Sequence, residues 1–298
     1  MLPARRTRDR RLRLAATFLL CIAGCQRPTQ PVIALTTDFG ASDFYVGALQ
    51  GAILSVNPAA RLVTISHQVP KYDISQAAYT LWQASEAFPP RTVFLTVVDP
   101  GVGTPRRPVA VRLNNGHLHV APDNGVLSEV IAAFGLAEAR LISNEALMRG
   151  GAAAGSRTFH GREIFGPVAG HLAAGVALAE VGPTIDDLRL TQPAYGHWEG
   201  DVLVGRIRTV DGYGNAITNI LADTLTATGW PRRGDYRLLL AGRELRMPLA
   251  GTYADVALGE ALMVFGSSGY LEMALNQGDF AAANGVKPGD RLEISPLR

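Results

Sequence analysis

Val93-Phe94-Leu95-Thr96-Val97-Val98-Asp99-Pro100-Gly101-Val102-Gly103-Thr104-Pro105-Arg106-Arg107 is the stretch on which the fold turns. It opens as an unbroken apolar, β-branched run, which is how a strand buried on both faces reads. It stops at an aspartate, and the Pro-Gly-Val-Gly that follows forbids further regular structure. Ligands of an open α/β sheet lie outside the carboxyl ends of its strands. Asp99 is therefore placed where a ligand sits, on a loop whose glycines let backbone approach it, with two arginines following. The same residues also read as a plain structural turn in which Asp99 caps a backbone N–H.

Working outward, the neighbouring segments alternate between strand and helix signals. Val32 to Thr37 reads as a first strand ended by Asp38-Phe39-Gly40, and Tyr45 through Val56 has helical apolar spacing closed by Asn57-Pro58. Leu62 to Ser66 reads as a second strand. Asp73 is placed to cap a helix over Ala77, Ala78, Leu81 and Trp82 that ends before Pro89-Pro90. Strand, helix, strand, helix, strand argues for a parallel sheet with right-handed crossovers. Val109 to Leu113, Asn114-Asn115-Gly116 and Leu118 to Val120 give a hairpin signal. A helix near Leu127–Phe134, a strand around Leu141, a small-residue loop from Gly150 to Gly155 and a helix entered at Thr158–Phe165 follow, and Pro183 to Pro193 reads as a connector. After residue 198 helical periodicity fades into short apolar runs parted by turn residues. That reads as a separate all-β domain, a small barrel or sandwich. The expected division is a leader over 1–24, a tether over 25–31, an α/β domain over 32–190 and a β domain over 198–298.

The formal net charge of +2 over 298 residues conceals an uneven distribution. Residues 1–24 hold six Arg and one Asp; removing them from the totals of 28 basic and 26 acidic residues leaves 22 and 25, a body near −3. A mildly acidic body argues against nucleic acid as a partner. The leader has a basic region from Arg5 to Arg13 and a short apolar region from Leu14 to Gly24. It ends in Ile22-Ala23-Gly24-Cys25, which resembles a bacterial lipobox and implies cleavage before Cys25 with lipid on its sulfur. The expected location is then the periplasmic side of a cell envelope, with membrane contact only through a lipid anchor at Cys25. Arg10-Arg11 loosely resembles a twin-arginine signal, so the export route stays open. An ordinary secretory leader, or a cytoplasmic chain with a misassigned start, are the other readings of this segment. Both cysteines, Cys21 and Cys25, lie here, so the body carries no disulfide and no cysteine nucleophile.

Four loops place charge beside glycine: Thr37 to Gly40, Asp99 to Gly103, Phe159-His160-Gly161-Arg162 and Asp211-Gly212-Tyr213-Gly214-Asn215. Asp38 and Asp99 end neighbouring strands, where a carboxylate is suited to gripping vicinal ribose hydroxyls. The glycine spacing matches neither the dinucleotide fingerprint nor the Walker loop, so a ribose is inferred without a polyphosphate. His160 heads a helix, where the macrodipole disfavours the imidazolium and leaves a base-competent imidazole; a His bonded to a backbone carbonyl is the structural alternative. The six histidines show no zinc-ligand spacing and no Gly-x-Ser-x-Gly occurs, so neither a metal nor a serine nucleophile is expected. Asp211 offers a carboxylate for an ammonium, Tyr213 an aromatic face and Asn215 an amide, in a segment that reads equally as an Asp-Gly hairpin turn.

Taken together, these loops resemble the S-adenosylmethionine hydroxide adenosyltransferases, the adenosine-forming S-adenosylmethionine hydrolases related to fluorinase and chlorinase. The matching pieces are Thr37 to Gly40, Val97 to Arg107, Pro122-Asp123-Asn124-Gly125, Thr158 to Arg162, Asp211 to Asn215 and Leu271 to Gly278. The resemblance implies a Rossmann-like amino domain, a carboxyl β-barrel and a homotrimer with active sites between subunits. It implies attack at C5′ of S-adenosylmethionine, releasing adenosine and methionine with no cofactor. Asp99, Arg106 and His160 correspond to the residues around the attacking water. Asp38 corresponds to a ribose-binding carboxylate, and Asp211 and Asn215 to residues holding the methionine and adenosine portions. Ser268 and Glu272 fall in the ligand-binding segment. His160-Gly161 departs from the Tyr and small residue of halogenating relatives, which argues against a halogenase. Glu163 stands where hydroxide-using members often have Asp. The exported leader leaves a surface-tethered nucleoside- or S-adenosylmethionine-binding lipoprotein without turnover as a further alternative.

Overall fold

The computed structural model describes residues 30–150, 156–226, 230 and 234–297. The leader, Cys25 and most of the 150–155 loop lie outside the described residues. The amino-terminal sheet comprises β1 (Val32–Thr37), β2 (Arg61–Ser66), β3 (Val93–Val97), β4 (Pro108–Leu113), β5 (Leu118–Pro122) and β6 (Leu136–Leu141). Their spatial order is β2-β1-β3-β5-β4-β6. Strands β2, β1, β3 and β5 run parallel, and β4 runs antiparallel to both β5 and β6. The sequence-level hairpin is present, but it is the returning strand β5, not β4, that lies beside β3. The 98–107 loop between β3 and β4 holds no crossover helix, so β4 runs back antiparallel and the hairpin returns β5 parallel beside β3.

The continuous apolar run divides between the two faces with the period of two that a pleat requires. Val93, Leu95 and Val97 join Ile33 and Leu35 beneath α1 (Tyr45–Val56) and α4 (Gly166–Ala173). Phe94 and Val98 join Ala34 beneath α2 (Ile74–Ser85) and α3 (Ser128–Phe134). Asp73 caps α2 through a bond from the Gln76 N–H to its carboxylate at 2.8 Å, satisfying one of the orphan donors of the first turn. Both helical layers therefore bury the central strands, and the loops after β1 and β3 open at one edge.

The carboxyl-terminal unit comprises β7 (His197–Glu199), β8 (Val202–Val210), β9 (Ala216–Leu221), β10 (Gly234–Leu240), β11 (Arg243–Leu249), β12 (Ala261–Phe265), β13 (Tyr270–Leu275) and β14 (Arg291–Pro296). Pairing of β14 with β8 closes seven of these into a barrel, with β7 added outside β8. Closure removes the exposed edges that an open sheet would leave. Two short helices, α5 (Ala222–Thr226) and α6 (Phe280–Asn284), interrupt the strands. The two units meet at Arg208 of β8, which ion-pairs with Glu129 of α3 and lies 4.5 Å from the Tyr79 ring and 5.5 Å from the Tyr270 ring. Burial pushes the Glu129 carboxyl up, and Arg208 draws it back.

Candidate active site

Asp99 leaves the end of β3 and is met by Arg106 from the far side of the glycine loop. Arg106 Nε lies 2.9 and 3.0 Å from the two carboxylate oxygens, and Nη2 also bonds Oδ2. Both side chains are more than nine-tenths buried. This fork-on-carboxylate pairing is the strong, orienting kind. Gly101 makes it possible, because a Cβ there would lie 3.1 Å from Arg106 Cγ and 3.3 Å from Thr104 Oγ1. The Arg106 guanidinium also lies 5.0 Å from the centre of the Phe165 ring.

The same Nη2 reaches His160 Nδ1 at 3.0 Å. A guanidinium has only donors, so Nδ1 is the acceptor and the ring proton is on Nε2. Burial first, and the Arg106 charge second, hold the His160 pKa below its usual value, while Asp99 and Glu163 pull it upward. The sequence position pointed to a neutral imidazole through the helix macrodipole; here burial and Arg106 favour that form, and its one lone pair is already committed to Arg106. Arg106 Nη1, by contrast, is buried and makes no hydrogen bond among the described residues.

The backbone that presents His160 is unusual. Gly161–Phe165 forms one π-helical turn before α4. Pro167 explains it: proline lacks an N–H and its ring crowds the carbonyl four residues back, here that of Glu163. That carbonyl instead accepts from the Arg149 N–H at 2.9 Å. Gly166 and Gly170 then let α4 approach α1, since a Cβ at Gly166 would lie 3.2 Å from Leu49 Cδ1 and one at Gly170 would lie 3.1 Å from the Ile53 carbonyl oxygen. The π turn was not legible in the periodicity. Such turns recur at functional sites.

Asp38, Asp99 and His160 line one cavity of about 280 Å³, together with Asp43, Lys71 and Tyr72. Asp38 Oδ2 accepts from the Tyr72 N–H at 2.9 Å, which ties the loop after β1 to the loop before α2. Phe39, Phe44, Tyr45 and Phe159 pack edge-on or tilted against one another at this mouth. Gly161 keeps the wall thin, because a Cβ would lie 3.2 Å from Phe159 and 3.4 Å from Phe39. Phe39 and Phe159 were inside the sequence motifs without being singled out. Lys71 and Tyr72 had no motif to mark them.

The barrel residues gather elsewhere. Tyr213 and Asn215 line a second cavity of about 720 Å³ together with Tyr253, Asn276 and Gln277, and this cavity shares no lining residue with the first. Asp211 does not line it. Its Oδ1 accepts from the Tyr213 and Asn215 N–H groups and its Oδ2 from the Asn215 amide, each at 2.9 Å. Asp211 thus shapes the turn between β8 and β9 and fixes the Asn215 side chain. Glu272 sits behind Tyr253, whose hydroxyl donates to Oε2 at 3.1 Å. Burial pushes the Glu272 carboxyl up, and burial with the Glu272 charge pushes Tyr253 up to about 12. Ser268 lies apart from both cavities, where its hydroxyl oxygen accepts from the Tyr270 N–H at 3.4 Å. Tyr253 escaped the sequence reading because a lone tyrosine in a Gly-Thr-Tyr-Ala-Asp turn carries no chemical signature.

Comparison with known proteins decides the family. Residues 33–182 match the SAM hydroxide adenosyltransferase N-terminal domain and residues 205–293 match the SAM hydroxide adenosyltransferase C-terminal domain. The chain belongs to the SAM hydroxide adenosyltransferase family. A (R)-S-adenosyl-L-methionine hydrolase of Salinispora tropica is 38% identical over 269 residues, which cover 89% of this chain and 98% of the relative. The hydrolase of Thermus thermophilus is 36% identical over 87% of this chain and 97% of its own length. A fluorinase of Actinoplanes is 31% identical over 89% of this chain and 97% of the relative. Among solved structures, a conserved Thermotoga maritima protein superimposes with a TM-score of 0.83 at 38% identity, covering 88% of this chain and 99% of that one. The adenosyltransferase halves coincide with the α/β sheet and the closed barrel, so the two-part reading of the fold holds.

Proposed function

We propose that this family member hydrolyses S-adenosyl-L-methionine to adenosine and L-methionine by attack of water at C5′. The observation that carries the reading is the meeting of Asp99, Arg106 and His160 beside the cavity that Asp38 also lines. The water oxygen forms the new bond to C5′. The C5′–S bond breaks with its electron pair going to sulfur, so the sulfonium becomes a neutral thioether, and one proton leaves the former water. The leaving group needs no acid; the scarce component is a positioned nucleophile. Because His160 Nδ1 accepts from Arg106, its Nε2–H is a donor that orients the water oxygen, and Arg106 Nη1 offers further N–H groups. Asp99, which lines the cavity, is the acceptor for the proton as C–O bond formation acidifies it. Burial strengthens each of these contacts.

The cavity walls carry Asp38, Asp43 and Asp99 against Lys71, a charge balance suited to a cationic substrate. A halide nucleophile is the second chemistry. The Asp99 carboxylate beside the attack position disfavours an anion there, and His160 replaces the Tyr expected of a halogenating relative. We further propose a homotrimer in which the barrel cavity of one subunit completes the α/β cavity of the next. The separation of the two cavities within one chain supports this. Lipid attachment at Cys25 and export rest on the leader sequence alone and are checked by fatty-acid labelling of the wild type against Cys25→Ala.

The test is chromatography of S-adenosylmethionine incubated with the purified chain. Adenosine and methionine should appear in equal amounts, without dependence on chloride or fluoride, and His160→Gln should bind substrate without turnover. Absence of any nucleoside product at high enzyme load would sink the hydrolase reading, and binding without product would select the non-catalytic alternative. Mixing His160→Gln with Asn215→Ala tests the trimer. Activity regained on subunit exchange supports shared sites, and no regain opposes them.

A further inference from the structure

The Pro122-Asp123-Asn124-Gly125 turn has no role in the chemistry above, yet it touches both ends of the loop that carries Asp99 and Arg106. At one end the Asn124 amide donates to the Val98 carbonyl at 2.9 Å, one residue before Asp99, while its Oδ1 accepts from the Val126 N–H at 3.2 Å. At the other end Asp123 Oδ2 accepts from Arg107 Nε at 3.0 Å and Nη2 at 2.6 Å, and the Asp123 N–H donates to the Arg107 carbonyl at 2.9 Å. Arg107 is held a third way, by Asp187 of the connector, whose Oδ1 accepts from Nη1 and whose carbonyl accepts from Nη2, both at 2.7 Å. The connector is in turn tied back, because the Arg189 N–H donates to Asp123 Oδ1 at 2.8 Å. Asp123 is buried, with 5% of its side chain exposed, so its own bonds are partly shielded from water, whereas the Asp187 side chain is exposed.

We propose that Asn124, Asp123 and Arg107 are positioning residues for the reaction: they clamp the two ends of the 98–107 loop so that Arg106 meets Asp99 and His160 together. The proposal rests on the hydrolase reading for its kinetic consequence but on geometry for its structural one. The loop has no regular structure of its own. Arg106 must satisfy Asp99 and His160 from a chain position next to Arg107, and it does so while Arg107 is drawn the other way, toward Asp123 and Asp187. Two adjacent arginines thus have opposite tasks, one facing the cavity and one anchoring the backbone that aims it. Gly125 permits the turn, at φ +102° and with a Cβ position only 3.0 Å from Thr191. Misplacing a catalytic group by about 1 Å is enough to cost roughly 100-fold in rate.

The experiment compares Asn124→Ala, Arg107→Ala and Arg107→Lys with wild type, alone and in an Arg106→Lys background. Expected is a fall in kcat of about 10- to 100-fold with KM changed less than about threefold, and partial recovery in Arg107→Lys relative to Arg107→Ala. In the Arg106→Lys background Asn124→Ala should add almost nothing, because the residue it aims is already compromised. Independently of turnover, the His160 ring, assigned in NMR spectra by its loss in His160→Gln, should titrate at higher pH in Asn124→Ala than in wild type. Should Arg107→Ala not fold, Asn124→Ala alone carries the test. Folded variants with unchanged kcat, or costs that multiply fully with Arg106→Lys, overturn the clamp. If the wild type yields no adenosine, the hydrolase reading fails and the titration alone decides: an unmoved His160 overturns the clamp, and an upward shift supports it.

Discussion

Replacing Arg106 by Lys keeps the positive charge opposite buried Asp99 while removing the fork, so it isolates what the guanidinium geometry contributes. A lysine ammonium reaches about as far as the guanidinium carbon, which falls short of Nη2 by about 1.3 Å, the length of a partial double C–N bond. Nη2 lies 3.0 Å from His160 Nδ1. The ammonium would therefore stand roughly 4 Å away, outside hydrogen-bond range. The charge-assisted bond to His160 is lost, worth about 1.5–3 kcal/mol, and at about 1.4 kcal/mol per decade the expected fall in kcat from that bond is roughly 10- to 100-fold. The pH profile should move as well. Turnover in this scheme requires neutral His160, whose pKa is held below 6.5 by burial and by Arg106. The wild-type acid limb therefore lies below pH 6.5, and activity falls as pH drops through it. Freeing Nδ1 makes protonation easier, so the limb in Arg106→Lys should rise toward 6.5. The assay is initial-rate release of adenosine across pH 4.5–8 at saturating substrate, with circular dichroism to establish folding. A folded Arg106→Lys with kcat within about threefold of wild type and an unmoved limb would refute the reasoning.

Three further outcomes follow from the same contacts. Gly101→Ala places a methyl 3.1 Å from Arg106 Cγ, so activity should fall about tenfold with little change in melting temperature; an unchanged rate would show that Arg106 has slack. His119 is fully buried, stacked on Phe94 at 4.7 Å, without a hydrogen-bond partner for either ring nitrogen among the described residues, and burial holds its pKa at about 3. Because the unfolded chain binds this proton below about pH 6.5, stability is lost as pH falls from 6.5 toward 3. The amount is on the order of 4–5 kcal/mol, and urea titrations of His119→Leu should show a flatter acid dependence. Arg208→Ala leaves Glu129 buried without its cation and should cost about 3–5 kcal/mol in urea denaturation, with the Arg208→Met/Glu129→Leu pair costing less than Arg208→Ala alone.

What the sequence determined by itself is set by local physics. A β-branched run ending at Asp99 can be little other than a buried strand with a loop at its carboxyl end, and Asp73 before an apolar helical stripe can be read as a cap. The alternation of strand and helix specified layers, and the fading of helical period after residue 198 specified a second, all-β unit. Which side chains meet was another matter. That the lone pair of His160 is spent on Arg106, and not held open for a proton, depends on two segments 54 residues apart in the chain. The π turn beneath His160 exists because the Glu163 carbonyl, crowded by Pro167, finds a donor in Arg149. Asp211 and Asn215 looked alike as polar turn residues, yet one is consumed in shaping the turn and the other reaches the cavity. Strand and helix periods are written residue by residue, but hydrogen-bond partners are assigned only when sheet order and barrel closure bring distant loops to one place.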